Sequence, residues 1–198
     1  AYQCLSMGQN DLKNKQVLIS GGIGPVCQAC IELALIGGAI VYVPALKEYH
    51  PFLSEKGAQP IECHPLDWNL PAESIDIIVE SICADELKTP LVLLKPEGQL
   101  IWIGSSALEA NAGLGWMSQA EKHVIKYAAE LTTPAIVYGL LNSWKNDRDS
   151  FERDINHLFY LYANDKIHPK VSAYASVDDY SKLKSGIKGV VVCVPEQD

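Results

Sequence analysis

The residues with the clearest chemical use are Gly22-Ile23-Gly24-Pro25-Val26-Cys27, a G-x-G-x-x-C turn behind a short apolar run. A turn of this kind grips a phosphate without any charged side chain. Gly22 permits a tight bend and Gly24 lets bare backbone approach a pyrophosphate. A helix opening at Pro25 aims unpaired N–H groups and the positive end of its dipole at the same point. Pro25 gives up one donor, yet its fixed φ suits the first helical turn. Cys27 departs from the dinucleotide-binding pattern, which has Gly or Ala there. The context is the required one, since a strand precedes the turn and a helix and second strand follow it.

A dinucleotide also needs its ribose held at the end of the second strand, where Asp or Glu would bond the hydroxyls of NAD. Here the strand ends in Pro44-Ala45 and runs on into Leu46-Lys47-Glu48-Tyr49-His50. Lys47, with Tyr49 or His50, is placed to receive the extra phosphate of NADP, so NADP(H) is favoured over NAD(H). The plainer alternative for Lys47 is a solvated surface lysine.

Other reactive side chains suggest less. Cys27-Gln28-Ala29-Cys30 is a C-x-x-C pair at a helix N-terminus, where the dipole would lower a thiol pKa as in redox centres; the only candidate for the companion proline loop, Thr133-Pro134, is too far along the chain for that small fold. A structural zinc site needs two paired clusters, and Cys63-His64 with His50 is only a loose trio. There is no G-x-S-x-G elbow, P-loop lysine or H-E-x-x-H. Asp76 and Glu80 share one strand and do not read as an acid/base pair.

These residues must be positioned by alternating strands and helices. Gln16 to Ser20 reads as a buried strand. Val26, Ala29, Cys30, Leu33 and Ala34 then recur at helical spacing up to the stop Gly37-Gly38, and Ala39 to Val43 is the second strand. A helix from Leu46 to Lys56, a short strand near Pro60 to Cys63, a strand Ile75 to Glu80 and a helix Glu86 to Leu94 follow. After the turn Lys95-Pro96-Glu97-Gly98 comes a strand Gln99 to Ile103. Beyond a Gly/Ala/Ser stretch (105–115), the pattern predicts a helix over 118–131, a strand over 135–138, an amphipathic helix over 150–164 and short elements over 171–174 and 190–194. Such order requires right-handed crossovers and gives an α/β fold, a doubly wound parallel sheet (Rossmann-like) with helices on both faces. One nucleotide-binding domain, 1–198, is expected, with its core over about 15–141 and a closing helix and strands over about 142–198.

Composition limits the partners. In 198 residues, 48% are hydrophobic, and 16 basic against 24 acidic side chains leave a net charge of −8, so neither a disordered chain nor a nucleic-acid footprint is expected. No apolar run is long enough to span a bilayer, and Ala1-Tyr2-Gln3-Cys4 does not open a signal peptide. Six cysteines are too few for a disulfide framework in this length, and four sit in apolar stretches as small buried thiols would. A soluble cytoplasmic protein is the expectation.

Taken in order, several segments resemble the cofactor-binding half of the medium-chain dehydrogenase/reductase superfamily. Its quinone-reductase-like branch, with the vesicle amine transport protein homologues and the enoyl reductase domains, is most similar. The likeness is carried by Ala1 to Leu5 as a leading helix, Gln16 to Ala39, Ile75 to Ser81, Leu93 to Gly98, Ile103-Gly104-Ser105, Ile136 to Gly139, Asp165 to Pro169 and Ser185 to Val191. The resemblance implies that Gly22, Gly24, Pro25 and Val26 line the pyrophosphate and that Lys47 lies by the adenosine ribose. It further implies Ser81 and Ile82 beneath the adenine side, Ser105 at the end of the next strand, and Tyr138 with Gly139 near the nicotinamide. The departures are Cys27, Gly189-Val190 where the family closes on Gly-Lys, and a short Cys63–Ile75 segment that lacks a helix usual there. The family's barrel-like catalytic domain, which precedes the leading helix, is not among these residues, so no catalytic residue is assigned.

The resemblance implies an NADPH-dependent hydride transfer to a quinone, enone or enoyl thioester, with the protein positioning the nicotinamide and the cofactor supplying the chemistry. It also implies a homodimer in which the strand over 135–141 pairs with its symmetry mate and hides a sheet edge. Two rivals remain open. One is a Rossmann-shaped scaffold that dimerises without turnover. The other is a Rossmann-type methyltransferase, for which Pro44-Ala45 lacks the ribose-binding carboxylate.

Overall fold

The computed structural model describes residues 1–8, 11–85, 87–104, 136–137, 144–176 and 190–194. A leading helix α1 (Tyr2–Gly8) precedes β1 (Gln16–Ile19), α2 (Pro25–Ile36), β2 (Ile40–Pro44), α3 (His50–Glu55) and β3 (Gln59–Ile61). Then come β4 (Ile75–Glu80), α4 (Lys88–Leu93), β5 (Leu94–Trp102) and β6 (Ile136–Val137). The six strands form one sheet in the order β3-β2-β1-β4-β5-β6, and every adjacent pair is parallel. This is the expected doubly wound α/β sheet. Its winding reverses between β1 and β4, which opens a crevice beyond the carboxyl ends of those strands.

The apolar runs are continuous because both faces of the sheet are covered. Val17 and Ile19 of β1 join Ile77 and Val79 of β4 in a core with Cys30 and Ile31 of α2. Leu18, from the opposite face of the same strand, joins Ile78, Leu100 and Trp102 in a second core, closed by Leu87 and Leu93. Each fully buried Leu or Ile contributes about 1.5–3 kcal/mol by leaving water, and the paired cores hold the carboxyl edge of the sheet rigid. Gly38, at φ +80°, ends the turn after α2 and sends the chain into β2, as the Gly37-Gly38 stop predicts.

Several boundaries differ from the sequence expectation, four of them with a bearing on the sheet. The helix expected over 46–56 divides into a 3₁₀ turn (Lys47–Tyr49) and α3, because Pro51 has no N–H for the Lys47 carbonyl and its ring would clash with it. The strand expected near Pro60 to Cys63 runs instead over Gln59–Ile61, and the helix expected over 86–94 shortens to α4, whose N-cap Leu87 has φ +69°. The Lys95–Gly98 turn is a bulge inside β5: Leu94 already pairs with Ile75, and pairing resumes at Ile77 with Gln99. Between β3 and β4 there is only a 3₁₀ turn (Pro65–Asp67) and loop, in keeping with the short connection.

A helix α5 (Arg148–Ala163) follows, capped by the Asp147 carboxylate, which accepts from Ser150 N–H at 3.1 Å. It is tied to α1 by the Gln3 amide donating to Asp154 Oδ2 at 2.9 Å and by the Tyr2 and His157 rings, 5.2 Å apart. β7 (Val171–Ser176) and β8 (Val190–Val194) make a separate parallel pair. Among the described residues no helix is long and apolar enough to cross a membrane. The stretch 105–115, the helix over 118–131 and the strand over 135–141 apart from Ile136 and Val137 lie outside the described residues, as do 185–189.

Candidate functional site

At the carboxyl end of β1 the chain turns through Gly21 (φ +122°) and Gly22 (φ +58°), then reaches Gly24, the N-cap of α2, at φ −58° and ψ 150°. Gly24 N–H donates to Gly21 O at 3.2 Å, and the Gln28 amide donates to Ile23 O, so the turn is held from both sides. No side chain caps α2. By helix geometry the N–H groups of Val26 and Cys27 therefore have no intrahelical acceptor, and they face the crevice with the positive end of the dipole.

The three glycines serve different ends. A Cβ on Gly21 would lie 2.3 Å from Ser81 Oγ and 2.4 Å from Cys27 Sγ, so protein packing and φ both demand glycine there. A Cβ on Gly22 would be 3.5 Å from Pro44 O, and φ alone constrains it. Gly24 is the exception: its φ suits any residue, and an added Cβ would meet only Gly21 O, at 3.5 Å. Nothing in the described protein excludes a side chain at 24.

Beneath the turn, Ser20, Cys27, Glu80 and Ser81 lock β1 to β4. Ser81 Oγ donates to Ser20 O at 2.7 Å, and Cys27 Sγ donates to the same carbonyl at 3.4 Å and lies 3.7 Å from Ser81 Oγ. The sulfur thus fills space beside Gly21 that the usual third glycine would leave to the helix–strand contact. Glu80 is buried, and its Oε1 accepts from Ser20 Oγ, from Ile82 N–H at 2.7 Å and from Cys83 N–H at 2.9 Å. Burial pushes this carboxyl above the usual range against those bonds, and the nearby Asp85 charge pushes the same way. The loop it holds is strained at Cys83 (φ +56°).

At the next sheet edge, Lys47 is four-fifths exposed, and its Nζ lies 3.4 Å from Glu62 Oε1. The His50 ring bonds Ala45 O at 3.0 Å, and Tyr49 packs against the first core. Asp76 lies at the amino end of β4, away from Glu80 at its carboxyl end. Burial opposes its charge, but the Gln16 N–H bond, with Lys95 and Lys15, holds its carboxyl below the usual range.

The C-x-x-C pair lacks the exposure and lowered pKa of an activated thiol site: Cys27 and Cys30 are both buried, and burial raises the Cys27 thiol and pushes Cys30 up to about 12. Among the described residues no three His, Cys, Asp or Glu side chains converge as a metal site would need.

The structure thus gathers Gly22, Gly24, Pro25, Val26, Ser81 and Ile82 at one crevice with Lys47 on its β2 side. Ser105, Tyr138 and Gly139 lie outside the described residues. Sequence reasoning set Glu80 aside as an acid/base group without giving it another role, and it passed over Gly21, Ser20 and Glu62 as site residues. The doubled glycine Gly21-Gly22 and the acidic end of an otherwise apolar strand were the available signals for Gly21 and Glu80.

No family model and no curated protein matches the sequence. Solved structures do. The CurK enoyl reductase superposes with a TM-score of 0.70 at 17% identity, over 98% of this chain and 60% of its own. A human synaptic vesicle membrane protein VAT-1 homolog-like protein gives 0.68 at 19% identity, over 100% and 59%. CurA from Vibrio vulnificus, solved in complex with NADPH, gives 0.68 at 15% identity, over 100% and 61%. The chain thus shares the fold of these solved proteins, an enoyl reductase among them, and it spans about 60% of their length.

Proposed function

We propose that this chain is the NADP(H)-binding part of a medium-chain reductase that transfers hydride to or from a quinone, an enone or an enoyl thioester. The observation that carries the proposal is Gly24. Among the described residues the fold leaves room for a Cβ there, so its absence is read as serving a ligand, and the uncapped helix start beside it supplies N–H donors suited to a diphosphate.

In this reading Gly22, Gly24, Pro25 and Val26 surround the pyrophosphate, while Lys47 faces the adenosine ribose and its phosphate. Ser81 and Ile82, fixed by Ser20 and Glu80, form the floor beneath the adenine side. Ser105, Tyr138 and Gly139 complete the nicotinamide end. The bound nicotinamide supplies the hydride chemistry. The chain's own residues fix the diphosphate, orient the two riboses along the crevice and hold the floor in place through the hydrogen bonds that Ser20 makes with Glu80 and with Ser81. That CurA, of the same fold, was solved with NADPH supports the choice of nucleotide. Substrate contacts and any catalytic group would come from a second domain. A cytoplasmic setting goes with buried free thiols at Cys4, Cys27, Cys30 and Cys83.

The test is a fluorescence titration with NADPH, with NADH as control, on the wild type and on Gly24→Val. Saturable binding by the wild type and its loss in a folded Gly24→Val protein are expected; equal binding by both proteins would remove the basis of the proposal. We also propose a homodimer through β6, the last strand of the sheet among the described residues, in which it pairs with its symmetry mate. Light scattering at micromolar concentration should give twice the mass of the 21.7 kDa chain, and a monomeric mass would exclude it.

A further inference from the structure

The cation that would meet the nucleotide's extra phosphate already has a partner. Lys47 opens the 3₁₀ turn after β2, and Glu62 is the first residue after β3. These strands are parallel neighbours with Pro44 opposite Ile61, so both side chains arrive at one edge of the sheet. It is the edge of the glycine turn, since the Pro44 carbonyl lies 3.5 Å from where a Cβ of Gly22 would stand. There Lys47 Nζ and Glu62 Oε1 are 3.4 Å apart. The backbone at Glu62 is anchored, because the Trp68 indole N–H donates to the Glu62 carbonyl at 2.8 Å and Trp68 itself is buried.

We propose that Glu62 sets the nucleotide selectivity of this site by competing with a ribose-linked phosphate for the Lys47 ammonium. The inference rests on the nucleotide-binding function proposed above and adds a residue that opposes the preference for NADP(H). An exposed ion pair of this kind is weak and yields to a phosphate carrying close to two negative charges. Glu62 acts against such a ligand twice. It occupies the cation beforehand, and once displaced it remains as a like charge beside the phosphate. A nucleotide without that phosphate meets neither penalty. Selectivity is therefore set by the balance of Lys47 and Glu62, which lie on different strand ends and meet only through the β2–β3 register.

The test uses adenosine 2′,5′-bisphosphate and 5′-AMP as probes, titrated by calorimetry into the wild type, Glu62→Gln, Lys47→Gln and Glu48→Gln. Glu48 is an exposed carboxylate next to Lys47 in sequence, so its variant makes the same change in net charge without touching the pair. Glu62→Gln should tighten the bisphosphate by about fivefold, the worth of one exposed charge contact near 4 Å in water, and leave 5′-AMP within about twofold. Lys47→Gln should weaken the bisphosphate by a similar factor. The Glu62→Gln effect should shrink as salt is raised. An unchanged bisphosphate to 5′-AMP ratio in a Glu62→Gln protein that still binds both would overturn the inference while leaving the nucleotide site standing. An equal effect from Glu48→Gln would also overturn it, as a general field effect. Failure of the wild type to bind either probe would overturn the proposed function, and the inference with it.

Discussion

Alanine at Gly21 and alanine at Gly24, three residues apart in one turn, should have opposite consequences. At Gly21 the backbone sits at φ +122°, and the new Cβ would lie 2.3 Å from Ser81 Oγ and 2.4 Å from Cys27 Sγ. Holding an L-residue in that conformation costs about 1–3 kcal/mol, and overpacking against two fixed side chains adds a further ~1–3 kcal/mol. Gly21→Ala should therefore lose about 2–6 kcal/mol, a large share of the ~5–15 kcal/mol that holds a typical domain together. At Gly24 the backbone is ordinary and, among the described residues, the new Cβ would meet only Gly21 O, at 3.5 Å. Gly24→Ala should cost no more than about 0.5 kcal/mol, the N-cap difference between Gly and Ala, yet weaken nucleotide binding. Urea unfolding at constant m-value reads both. The steric part is separable: in a Cys27→Ala, Ser81→Ala background, Gly21→Ala should cost only the backbone share. Equal costs for the two alanines, or an undiminished Gly21→Ala cost in the relieved background, would refute the division of labour between these glycines.

Glu80 should make the protein sensitive to rising pH. Burial raises its pKa above the ordinary 4.5, so the native state holds this proton more tightly than the unfolded chain does. Its favourable contribution is complete below the ordinary Glu range and is lost as pH rises through the native pKa. Glu80→Gln, which still accepts at Oε1, should flatten that fall in urea midpoints measured between about pH 4 and 8; an unaltered slope would place the linkage elsewhere. Thiol labelling of the native protein should mark exposed Cys63 well before buried Cys27, Cys30 and Cys83, the last two pushed up to about 12. Labelling of Cys27 as fast as Cys63 would restore a redox role for the C-x-x-C pair.

The first half of the fold was legible because each of its signals is local. An apolar run, a glycine turn with proline behind it, and apolar residues at helical spacing lie within 25 residues of one another, from Gln16 to Ile40. The misplaced start of β5 shows the limit. Lys95-Pro96-Glu97-Gly98 has the composition of a turn, and only the pairing of Leu94 with Ile75 makes it a bulge within a strand. The site was legible where the backbone does the work, at Gly22, Gly24 and Pro25. It was illegible where function depends on partners brought together by the sheet. Glu80 looks like an oddly placed acid until β1 brings Ser20 to it from 60 residues away, and Lys47 looks unopposed until β3 delivers Glu62. Gly21 was passed over because its neighbour fits the glycine pattern and the clash it avoids involves Ser81, just past the end of β4.

Cys27 and the empty side of Gly21 occupy what is in effect one volume, shared between a helix and a turn. Selection would then act on the pair and not on either residue alone. Homologues that carry a smaller residue at 27 are the ones in which a methyl group at 21 becomes sterically admissible, subject to its backbone penalty. A library randomised at 21, 27 and 81 together should recover survivors whose summed side-chain size stays nearly constant, a covariation that single-site scans would miss.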